Sequence, residues 1–374
     1  MKICYLFSNY HLVNITAEPK MAIALAEHAL RNSHEVYIIS NYTKNKTEKR
    51  GKIRFFLFKG LGDLKTYLLN TPHIIRHLTK VKPNIIHVHG GIIIVYVLLI
   101  NLFLRIPLVF TLCEGLDTFG SFQKKLLVFC LSRMKAIFVT SSYLKNQLVA
   151  QGVARKKIKV VRLGLEKKFL TAKPLKQTNA DVFFFGDSSY ERGFDIVYAL
   201  AKKIQNVSFT VLIRWKKDCV KELQGINSLP NVRMYHSHYK EPLINMILKS
   251  KIILLPFRWM GVRPPLSIIE SMALGKCVFT STMEGNEELI RNNENGVLFD
   301  FTNINAVAKQ ICSLIESPSQ LRKIGESARK TIETMYSDKE CTKIIDYYAF
   351  TKSLKAMERP LLFRLSETNY RITH

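Results

Sequence analysis

The residues best suited by type and spacing to do chemistry lie in the segment 265–290. Glu270 is the one acidic residue on a mostly apolar helical pattern that ends at Gly275. A β-rich run follows at Cys277–Ser281, and a Gly-Asn turn then leads to a second predicted helix that begins at Glu287. Open α/β sheets hold ligands in the loops after their strands, and backbone N–H groups at a helix start bind anions. An anion site is therefore possible here, but the spacing alone favours an ordinary helix–strand–helix segment with a solvated Glu270.

Basic residues are concentrated in the first part of the chain. The 374 residues carry a net charge of +27, and residues 1–170 hold 27 Lys and Arg against 8 Asp and Glu, a net +19. Such a surface suits nucleic acid, anionic lipid or a phosphorylated substrate. No zinc-finger spacing, aromatic RNA-binding pair or basic zipper accompanies the charge. Solvated lysines that only keep the protein soluble are the plain alternative.

Short apolar runs alternate with helical patterns along the chain. In the first half, strands are predicted at Lys2–Phe7, Glu35–Ser40, Ile53–Phe58, Asn84–His89, Pro107–Leu112, Ala136–Thr140 and Ile158–Arg162. In the second half, they are predicted at Asp181–Phe185, Val207–Ile213, Val232–Tyr235, Lys251–Leu255 and Cys277–Ser281. This alternation predicts an α/β protein with two Rossmann-like, doubly wound domains that face a cleft. We place the domains at residues 1–170 and 171–346, followed by a tail over 347–374 that crosses back to the first domain.

The most apolar run, Ile92–Leu104, is thirteen residues long. That is too short to span a bilayer and predicts a buried helix, with partial membrane burial as the alternative. The seven cysteines are scattered and often lie in apolar strands, which indicates a reduced protein without a disulfide frame or a zinc site. We therefore expect a cytoplasmic protein, either free or peripheral on the cytoplasmic face of the membrane.

The segment 265–290 resembles the donor-nucleotide half-site of retaining glycosyltransferases of the GT-B fold, family 4. Their usual pattern is Glu-Gly-x-Pro-Leu-Ser-x-x-Glu-Ala-Met-Ala-x-Gly-x-Pro-Val, followed by a Gly-rich loop and Glu. The residues in step with it are Pro265, Leu266, Ser267, Glu270, Met272, Ala273, Gly275, Val278, Gly285, Asn286 and Glu287. The resemblance implies that Glu270 binds the ribose hydroxyls of a UDP- or GDP-sugar. It also implies donor contacts from Arg263, Ser267, Met283, Glu284, Gly285, Asn286 and Glu287. The first Glu of the pattern, which touches the transferred sugar in the family, is replaced by Val262.

A second match lies at Phe184–Gly193. In the family, an Arg after the first Gly and a Lys before the second bind the donor diphosphate. Here Asp187 stands at the Arg position and Arg192 at the Lys position. A guanidinium bonds phosphate oxygens through two N–H groups, so Arg192 keeps the charge role. We predict Arg192 as a donor ligand and as a catalytic group that offsets charge on the leaving diphosphate. A surface arginine at a helix start is the alternative.

The first domain carries weaker marks of the same family. Pro83–His89 resembles its Pro-Asp-x-x-His-x-His strand end, and Val109–Gly115 resembles its Thr-x-His segment. Cys113 occupies the His position, and Glu114 follows it. The resemblance places His89 and Glu114 on the acceptor side, with Glu114 as a candidate catalytic group. An ordinary helix-start Glu is the alternative for Glu114.

The implied function is a retaining glycosyltransferase that transfers a sugar from a nucleotide-sugar to a glycan or lipid-linked acceptor. No Asp-x-Asp pair occurs, which argues against the metal-dependent glycosyltransferase fold, and no metal cofactor is expected. The expected partners are a nucleotide-sugar, a glycan or lipid-phosphate-linked acceptor of cell-envelope polysaccharide synthesis, and an anionic membrane surface, but no nucleic acid. Two alternatives stay open. One is a non-catalytic partner protein that kept the fold, motivated by Val262, Asp187 and Cys113; the other is a nucleic-acid-binding protein, motivated by charge alone.

Overall fold

Two structural units make up the described part of the chain. The structure is a computed structural model, and it describes residues 1–10, 17–60, 63–91, 93–162, 165–173, 180–236 and 242–349. The first unit contains residues 1–140 and 144–164 together with the segment that begins at Asp338; the second contains residues 141–143 and 165–337. Each unit is built on one β-sheet.

The sheet of the first unit has its topological switch point between its first and fifth strands. The strands are β1 (Lys2–Phe7), β2 (Glu35–Tyr42), β3 (Lys46–Arg50), β4 (Ile53–Lys59), β5 (Ile85–His89), β6 (Leu108–Leu112), β7 (Ile137–Val139) and β8 (Ile158–Val160). Their order is β3-β4-β2-β1-β5-β6-β7-β8. The pair β3–β4 is antiparallel, and the other described pairs are parallel. The order grows from β1 in one direction and from β5 in the other, which defines the switch point.

The helices of the first unit flank this sheet. They are α1 (Ala17–Arg31), α2 (Leu64–Leu69), α3 (Thr71–Val81), α4 (Ile93–Leu104), α5 (Ser121–Ser132) and α6 (Ser142–Ala150). The prediction that the apolar run forms a buried helix is wrong for one face of α4. Ile94 and Val97 are fully buried, but Phe103 is 83% exposed. Because α4 has no charged residue, its sequence cannot indicate which face packs. Within the described ranges, no helix combines the length and apolarity needed to cross a membrane.

The second sheet repeats the parallel design with six strands. They are β9 (Ala180–Ser188), β10 (Phe209–Lys216), β11 (Val232–His236), β12 (Ser250–Leu255), β13 (Cys277–Ser281) and β14 (Val297–Phe299). The order is β11-β10-β9-β12-β13-β14, all described pairs are parallel, and the switch point lies between β9 and β12. The predicted fold class, α/β with two Rossmann-like parallel sheets, is confirmed.

Seven helices belong to the second unit. They are α7 (Lys167–Thr171), α8 (Phe194–Lys203), α9 (Val220–Ile226), α10 (Leu243–Leu248), α11 (Leu266–Ala273), α12 (Ile304–Ile315) and α13 (Pro318–Met335), counted over the described residues. One large core packs the sheet against α8 and α12, with Phe184, Phe209 and Phe279 among its buried members. These strands are apolar along most of their length because helices cover both faces of a parallel sheet.

The helical segment 338–349 belongs to the first unit. Glu340 Oε2 accepts a hydrogen bond of 3.1 Å from Arg162 N, and Thr342 Oγ1 lies 3.2 Å from His28 Nε2. Tyr348 is buried, and its hydroxyl hydrogen-bonds to Nδ1 of the buried His87. Of the predicted tail over 347–374, residues 350–374 lie outside the described residues.

We expect Tyr348→Phe to lower the free energy of unfolding of the first unit by about 1–3 kcal/mol, because it leaves a nitrogen of buried His87 unpaired. Urea unfolding followed by circular dichroism measures the change. Tyr190→Phe is the matched control, since Tyr190 is 57% exposed and the substitution again removes only a hydroxyl. Equal unfolding midpoints for Tyr348→Phe and the control would contradict this account of the helical segment.

Candidate active site

The loops at the carboxyl edge of the second sheet meet at its switch point. After β9 the chain makes a turn, and Gly193 opens α8 with a φ of +67°. A Cβ atom at Gly193 would lie 2.0 Å from the carbonyl oxygen of Pro256, directly after β12. Only glycine permits this approach. The loops that follow β9 and β12 therefore pack together and form one wall of the candidate site.

Asp187, near the end of β9, is a buried carboxylate beside two cations. It is 6% exposed, and Arg192 Nε and Lys217 Nζ each lie 3.8 Å from its Oδ2 atom. Burial lowers the pKa of Arg192, while the charge of Asp187 opposes that shift. The Arg192 guanidinium also lies over the ring of Phe257 at 5.6 Å. The acidic residue at the family's arginine position thus holds cations at the strand end.

Arg214 is a site residue that the sequence analysis missed. It lies toward the carboxyl end of β10, immediately after Ile213, which pairs with Gly186 of β9. Burial lowers the pKa of its guanidinium, and the carboxylates of Glu270 and Asp187 oppose that shift. Arg214 also lowers the pKa of Arg192, so the two guanidinium groups act on each other. The sequence feature that could have indicated Arg214 is the basic segment that begins directly after the predicted strand Val207–Ile213.

Glu270 lies on α11, a helix that is buried on nearly every side. Glu270 itself is 3% exposed, and a carboxylate is seldom so buried unless it is paired. Its charge acts on Arg214 from across the sheet edge. Ser267 lies three residues earlier on the same helix face and is half-buried. The predicted pair Ser267 and Glu270 is therefore presented together by α11.

Arg263, a predicted donor ligand, is 3% exposed and bonded within the second unit. Its Nε donates to the Met260 carbonyl at 2.9 Å, and its Nη1 donates to the Tyr143 hydroxyl at 2.7 Å. The carboxylate of Glu284 lies 3.9 Å from the same Nη1. Through these contacts, Arg263 connects the surrounding loops. Donor binding by Arg263 stays a prediction.

The loop 283–287 follows β13 at the same edge of the sheet. Gly285 has a φ of +93°, and a Cβ there would lie 2.9 Å from Cβ of Arg263. Met283 is buried, whereas Glu284 and Glu287 are exposed. The loop thus presents backbone and two carboxylates at the edge while it packs closely against Arg263.

The predicted helix at Glu287 is wrong, because residues 284–289 form successive turns. Ile290 N donates to the Asn286 carbonyl at 2.8 Å, which is a single helical bond. The Asn295 side chain then accepts from Arg291 N at 2.7 Å. Side chains of this kind offer the backbone an alternative to helical bonds. No helix dipole is therefore available at this loop for an anion.

Asn286 retains an unused polar atom inside this loop. Its Nδ2 donates to the carbonyl of Ser281 at 3.3 Å and to Thr280 Oγ1 at 3.4 Å. Its Oδ1 is buried and has no hydrogen-bond partner in the described part of the chain. A buried acceptor without a partner is costly, so Asn286 is the loop residue best prepared to meet a ligand donor.

His89 belongs to the first unit, at the carboxyl end of β5 beside the switch point. It is 1% exposed, and its ring stacks on His87 with centroids 4.2 Å apart. Burial lowers the pKa of His89 to about 3, so the ring is neutral at physiological pH. Its Nε2 atom is buried without a hydrogen-bond partner among the described residues.

Glu114 follows β6 and meets a second carboxyl group, Glu18 of α1, which sequence reasoning missed. Burial first, and then the charge of Glu114, raises the pKa of Glu18 to about 8. Burial likewise raises the pKa of Glu114. Glu18 Oε1 accepts from Ser8 N at 3.2 Å, and a Cβ on Gly90 would lie 2.5 Å from Oε1. The two carboxyl groups thus gather where β1, β5 and β6 end.

The predicted residues therefore fall into two groups. Arg192, Arg263, Ser267, Glu270 and the loop 283–287 lie at the carboxyl edge of the second sheet, and His89 and Glu114 lie at that of the first. Within the described ranges, no three His, Cys, Asp or Glu side chains come together as a metal site requires.

Two family models match the chain, one for each half. Residues 20–168 match Glycosyltransferase Family 4, and residues 166–331 match Glycosyl transferases group 1. The putative glycosyltransferase EpsD of Bacillus subtilis (strain 168) is 27% identical over 94 residues, which is 25% of each chain. That match therefore spans about a quarter of the length of the curated relative.

Solved structures resemble the whole described fold. Alr3699/HepE of Anabaena in complex with UDP is 17% identical, with a TM-score of 0.75 over 94% of this chain and 100% of that one. The apo lipopolysaccharide outer core galactosyltransferase WaaB is also 17% identical, with a TM-score of 0.68 over 94% and 100% of the two chains. At these identities the likeness shows the fold, which is GT-B.

The two family matches, together with this fold, show that the chain belongs to the group 1, family 4 glycosyltransferases. The predicted enzyme class, a nucleotide-sugar-dependent glycosyltransferase, is confirmed at the level of the family.

We expect the stability of the first unit to fall as pH rises from about 5 to 8, because the folded state holds a proton on Glu18 that the unfolded state has already lost. Glu18→Gln should remove this loss and raise the free energy of unfolding at pH 8 by about 2 kcal/mol, with little change at pH 5. Urea unfolding at the two pH values measures it. Glu27→Gln, at an exposed position of the same helix, is the control. A Glu18→Gln effect of equal size at both pH values would contradict the raised pKa of Glu18.

Proposed function

We propose that this chain transfers a sugar from a UDP-sugar to an acceptor hydroxyl, with retention of the anomeric configuration. The observation that carries the proposal is Glu270, a buried carboxylate beside Arg214 at the switch point of the second sheet. Ligands of open α/β sheets bind at this position. The fold relative HepE is described in complexes with UDP and with UDP-glucose. Retention follows the family resemblance of the segment 265–290.

In this proposal the cations hold the diphosphate. Arg192 and Arg214 bond its oxygens and offset the negative charge that grows on it as the sugar leaves. Lys217 is 48% exposed and adds a third positive charge at the rim. Asp187 fixes Arg192 and Lys217 so that they need not reorganise during the reaction. Glu270 accepts hydrogen bonds from the ribose hydroxyls.

The loop after β13 completes the proposed donor site. The unpaired Oδ1 of Asn286 accepts a hydrogen bond from the donor, and Ser267 supplies a hydroxyl. The turns at 283–287 contribute backbone groups in place of a helix start. The carboxylates of Glu284 and Glu287 are exposed. In this proposal they accept hydrogen bonds from hydroxyl groups of the donor.

The acceptor side of the proposal uses the first unit. Glu114 is half-buried with a raised pKa, which suits a group that takes a proton from an acceptor hydroxyl. His89 is neutral and offers its unpaired Nε2 to the same acceptor. Glu18 is a second carboxyl group at this place, and the charge of Glu114 contributes to its raised pKa.

The proposed acceptor is a glycan, and specifically one linked to a lipid phosphate in cell-envelope polysaccharide synthesis. The relative WaaB is described as a lipopolysaccharide outer core galactosyltransferase. The net +19 of residues 1–170 draws the chain to an anionic membrane surface on the cytoplasmic side. The membrane contacts that we propose are Lys44–Arg54, Lys124, Lys125 and Arg155–Lys159. Glu48 pairs with Lys46 and with Arg50, so the first of these clusters is partly neutralised.

Val262 favours one alternative. It is half-buried and apolar at the place where the family has a glutamate that touches the sugar. A chain that binds UDP-sugar but does not turn it over would be a non-catalytic relative. Release of UDP from UDP-glucose and UDP-galactose, with and without a lipid-linked glycan, separates the two functions.

We expect Glu270→Gln to weaken UDP binding about 10- to 100-fold, because a charged acceptor of hydrogen bonds contributes about 1.5–3 kcal/mol. Isothermal titration calorimetry with UDP measures the dissociation constant, and thermal unfolding checks that the variant is folded. Glu326→Gln is the control, since it removes an exposed carboxylate from α13, which packs against α11. UDP affinity that is equal in Glu270→Gln and wild type would refute the ribose contact.

Arg214→Gln should also weaken UDP binding by at least tenfold, because a charged bond to phosphate is lost. The effect should be smaller for uridine, which has no phosphate, so the ratio of the two affinities reports the contact. The matched control is Arg233→Gln, an exposed arginine on β11 of the same sheet. Equal losses for UDP and uridine would show that Arg214 supports the fold of the site and does not bind the diphosphate.

A further inference from the structure

The first unit presents large apolar side chains to solvent on three helices. On α4, Leu99, Leu102 and Phe103 are exposed, Phe103 by 83%. They are spaced three and four residues apart, so they share one face of the helix. The opposite face is buried and carries Ile94 and Val97. This helix is therefore anchored on one side and uncovered on the other.

The neighbouring helices extend the same kind of surface. On α5, Phe122 is 78% exposed and Phe129 is 54% exposed, and they lie seven residues apart on one face. On α2, Leu68 and Leu69 are exposed. Both α2 and α5 pack against α4. We call the apolar face the set Leu68, Leu69, Leu99, Leu102, Phe103, Phe122 and Phe129. Large apolar side chains that are exposed together on helices packed against one another indicate an interaction site.

The charged side chains within α2, α3, α4, α5 and the residues directly after α4 and α5 are all basic, and Asp63 caps the start of α2. Residues 64–81, 93–105 and 121–135 contain eight Lys and Arg and no Asp or Glu. The eight are Lys65, Arg76, Lys80, Arg105, Lys124, Lys125, Arg133 and Lys135. The Arg133 guanidinium lies over the Phe129 ring, 3.3 Å from its centroid. Aromatic and leucine side chains among cations suit a surface that is apolar inside and anionic outside.

We propose that the apolar face inserts into the headgroup and acyl boundary of an anionic bilayer. The twelve residues of α4 make a helix of about 18 Å at 1.5 Å per residue, which cannot cross the hydrocarbon core. The helix lies in the plane of the membrane surface, with its buried face still packed on the first unit. Phe103 and Phe122 enter the boundary, and the lysines and arginines bond lipid phosphates.

The charge of the face argues against a second copy of this chain as its occupant. A symmetric pair would place identical surfaces together. It would bring the eight basic side chains of each copy against those of the other, with no acid from these helices to neutralise them. An anionic bilayer supplies both the apolar interior and the opposite charge.

This inference rests on the membrane partner in the proposed function and adds the side chains that enter the lipid. Electrostatic attraction alone is lost at high salt, because exposed charges are screened. Membrane binding by insertion should persist at high salt, and this salt-resistant binding should depend on the side chains of the apolar face.

Vesicle co-sedimentation tests the inference with the full chain. The vesicles are phosphatidylcholine with and without phosphatidylglycerol, each at low and high salt. The double variant Leu102→Ser/Phe103→Ser should lose the salt-resistant pelleting on phosphatidylglycerol vesicles. Val220→Ser, at a 54% exposed valine of α9 in the second unit, should pellet like wild type. Lys124→Gln/Lys125→Gln should lower the low-salt partition coefficient by about thirtyfold and spare the salt-resistant part.

A fluorescence measurement tests the inference independently if the Leu102→Ser/Phe103→Ser variant does not fold. Phe103→Trp should show a blue-shifted emission with phosphatidylglycerol vesicles that brominated lipids quench. Unshifted, unquenched emission, or equal pelleting of the serine variant and wild type at high salt, would overturn the inference. So would a wild-type dimer in analytical ultracentrifugation that Leu102→Ser/Phe103→Ser dissolves. Equal wild-type pelleting with both vesicle types would instead refute the electrostatic attraction of the proposed function, and UDP titration of the same samples tests the donor site separately.

Discussion

Buried charges at the carboxyl edge of a parallel sheet must be paired, and this constraint organises the second unit. Asp187 and Glu270 are almost fully buried, and they share the edge with Arg192 and Arg214. Removing one member would leave a partner charge buried without compensation, which is strongly destabilising. Arg192, Arg214 and Lys217 outnumber these two buried carboxylates, and the exposed Glu191 also acts on Arg192. A diphosphate bound at this edge would pair with the three cations.

The two units use equivalent places in their sheets for opposite chemistry. At the switch point of the second sheet, guanidinium groups surround carboxylates and favour an anion. At that of the first sheet, burial raises the pKa values of Glu18 and Glu114, and His89 remains neutral. The carboxyl site exists within the half of the chain that carries a net +19. Local burial therefore decides the chemistry of each site, whereas net charge describes the outer surface and its partners.

Much of the fold could be predicted because the period of apolar residues differs between strands and helices. The central strands β1, β9 and β12 lie close to their predicted bounds. The edge strand β3 was missed because its sequence, Lys-Thr-Glu-Lys-Arg, contains no apolar residue. The turns at 284–289 were predicted as helix because the competing bond from the Asn295 side chain is invisible in the local pattern.

The site was predictable only where its residues belong to one local motif. Glu270 and Arg192 were found because the segments 265–290 and 184–193 each resemble a motif of the family. Arg214 was missed because its place beside Asp187 and Glu270 depends on how two separate strands and a helix pack. Glu18 was missed for the same reason, since Glu114 lies far from it along the chain. The exposed side of α4 was missed because an uncharged helix does not show which face is covered.

A crystal structure of the full chain with UDP-glucose tests the central claim most directly. The account predicts that the diphosphate lies within hydrogen-bond distance of the Arg192 and Arg214 guanidinium groups, with the ribose hydroxyls on the Glu270 carboxylate. The glucose should follow the diphosphate on the side away from the ribose. A nucleotide bound away from the carboxyl edge of the second sheet, or a ribose that makes no contact with Glu270, would contradict it.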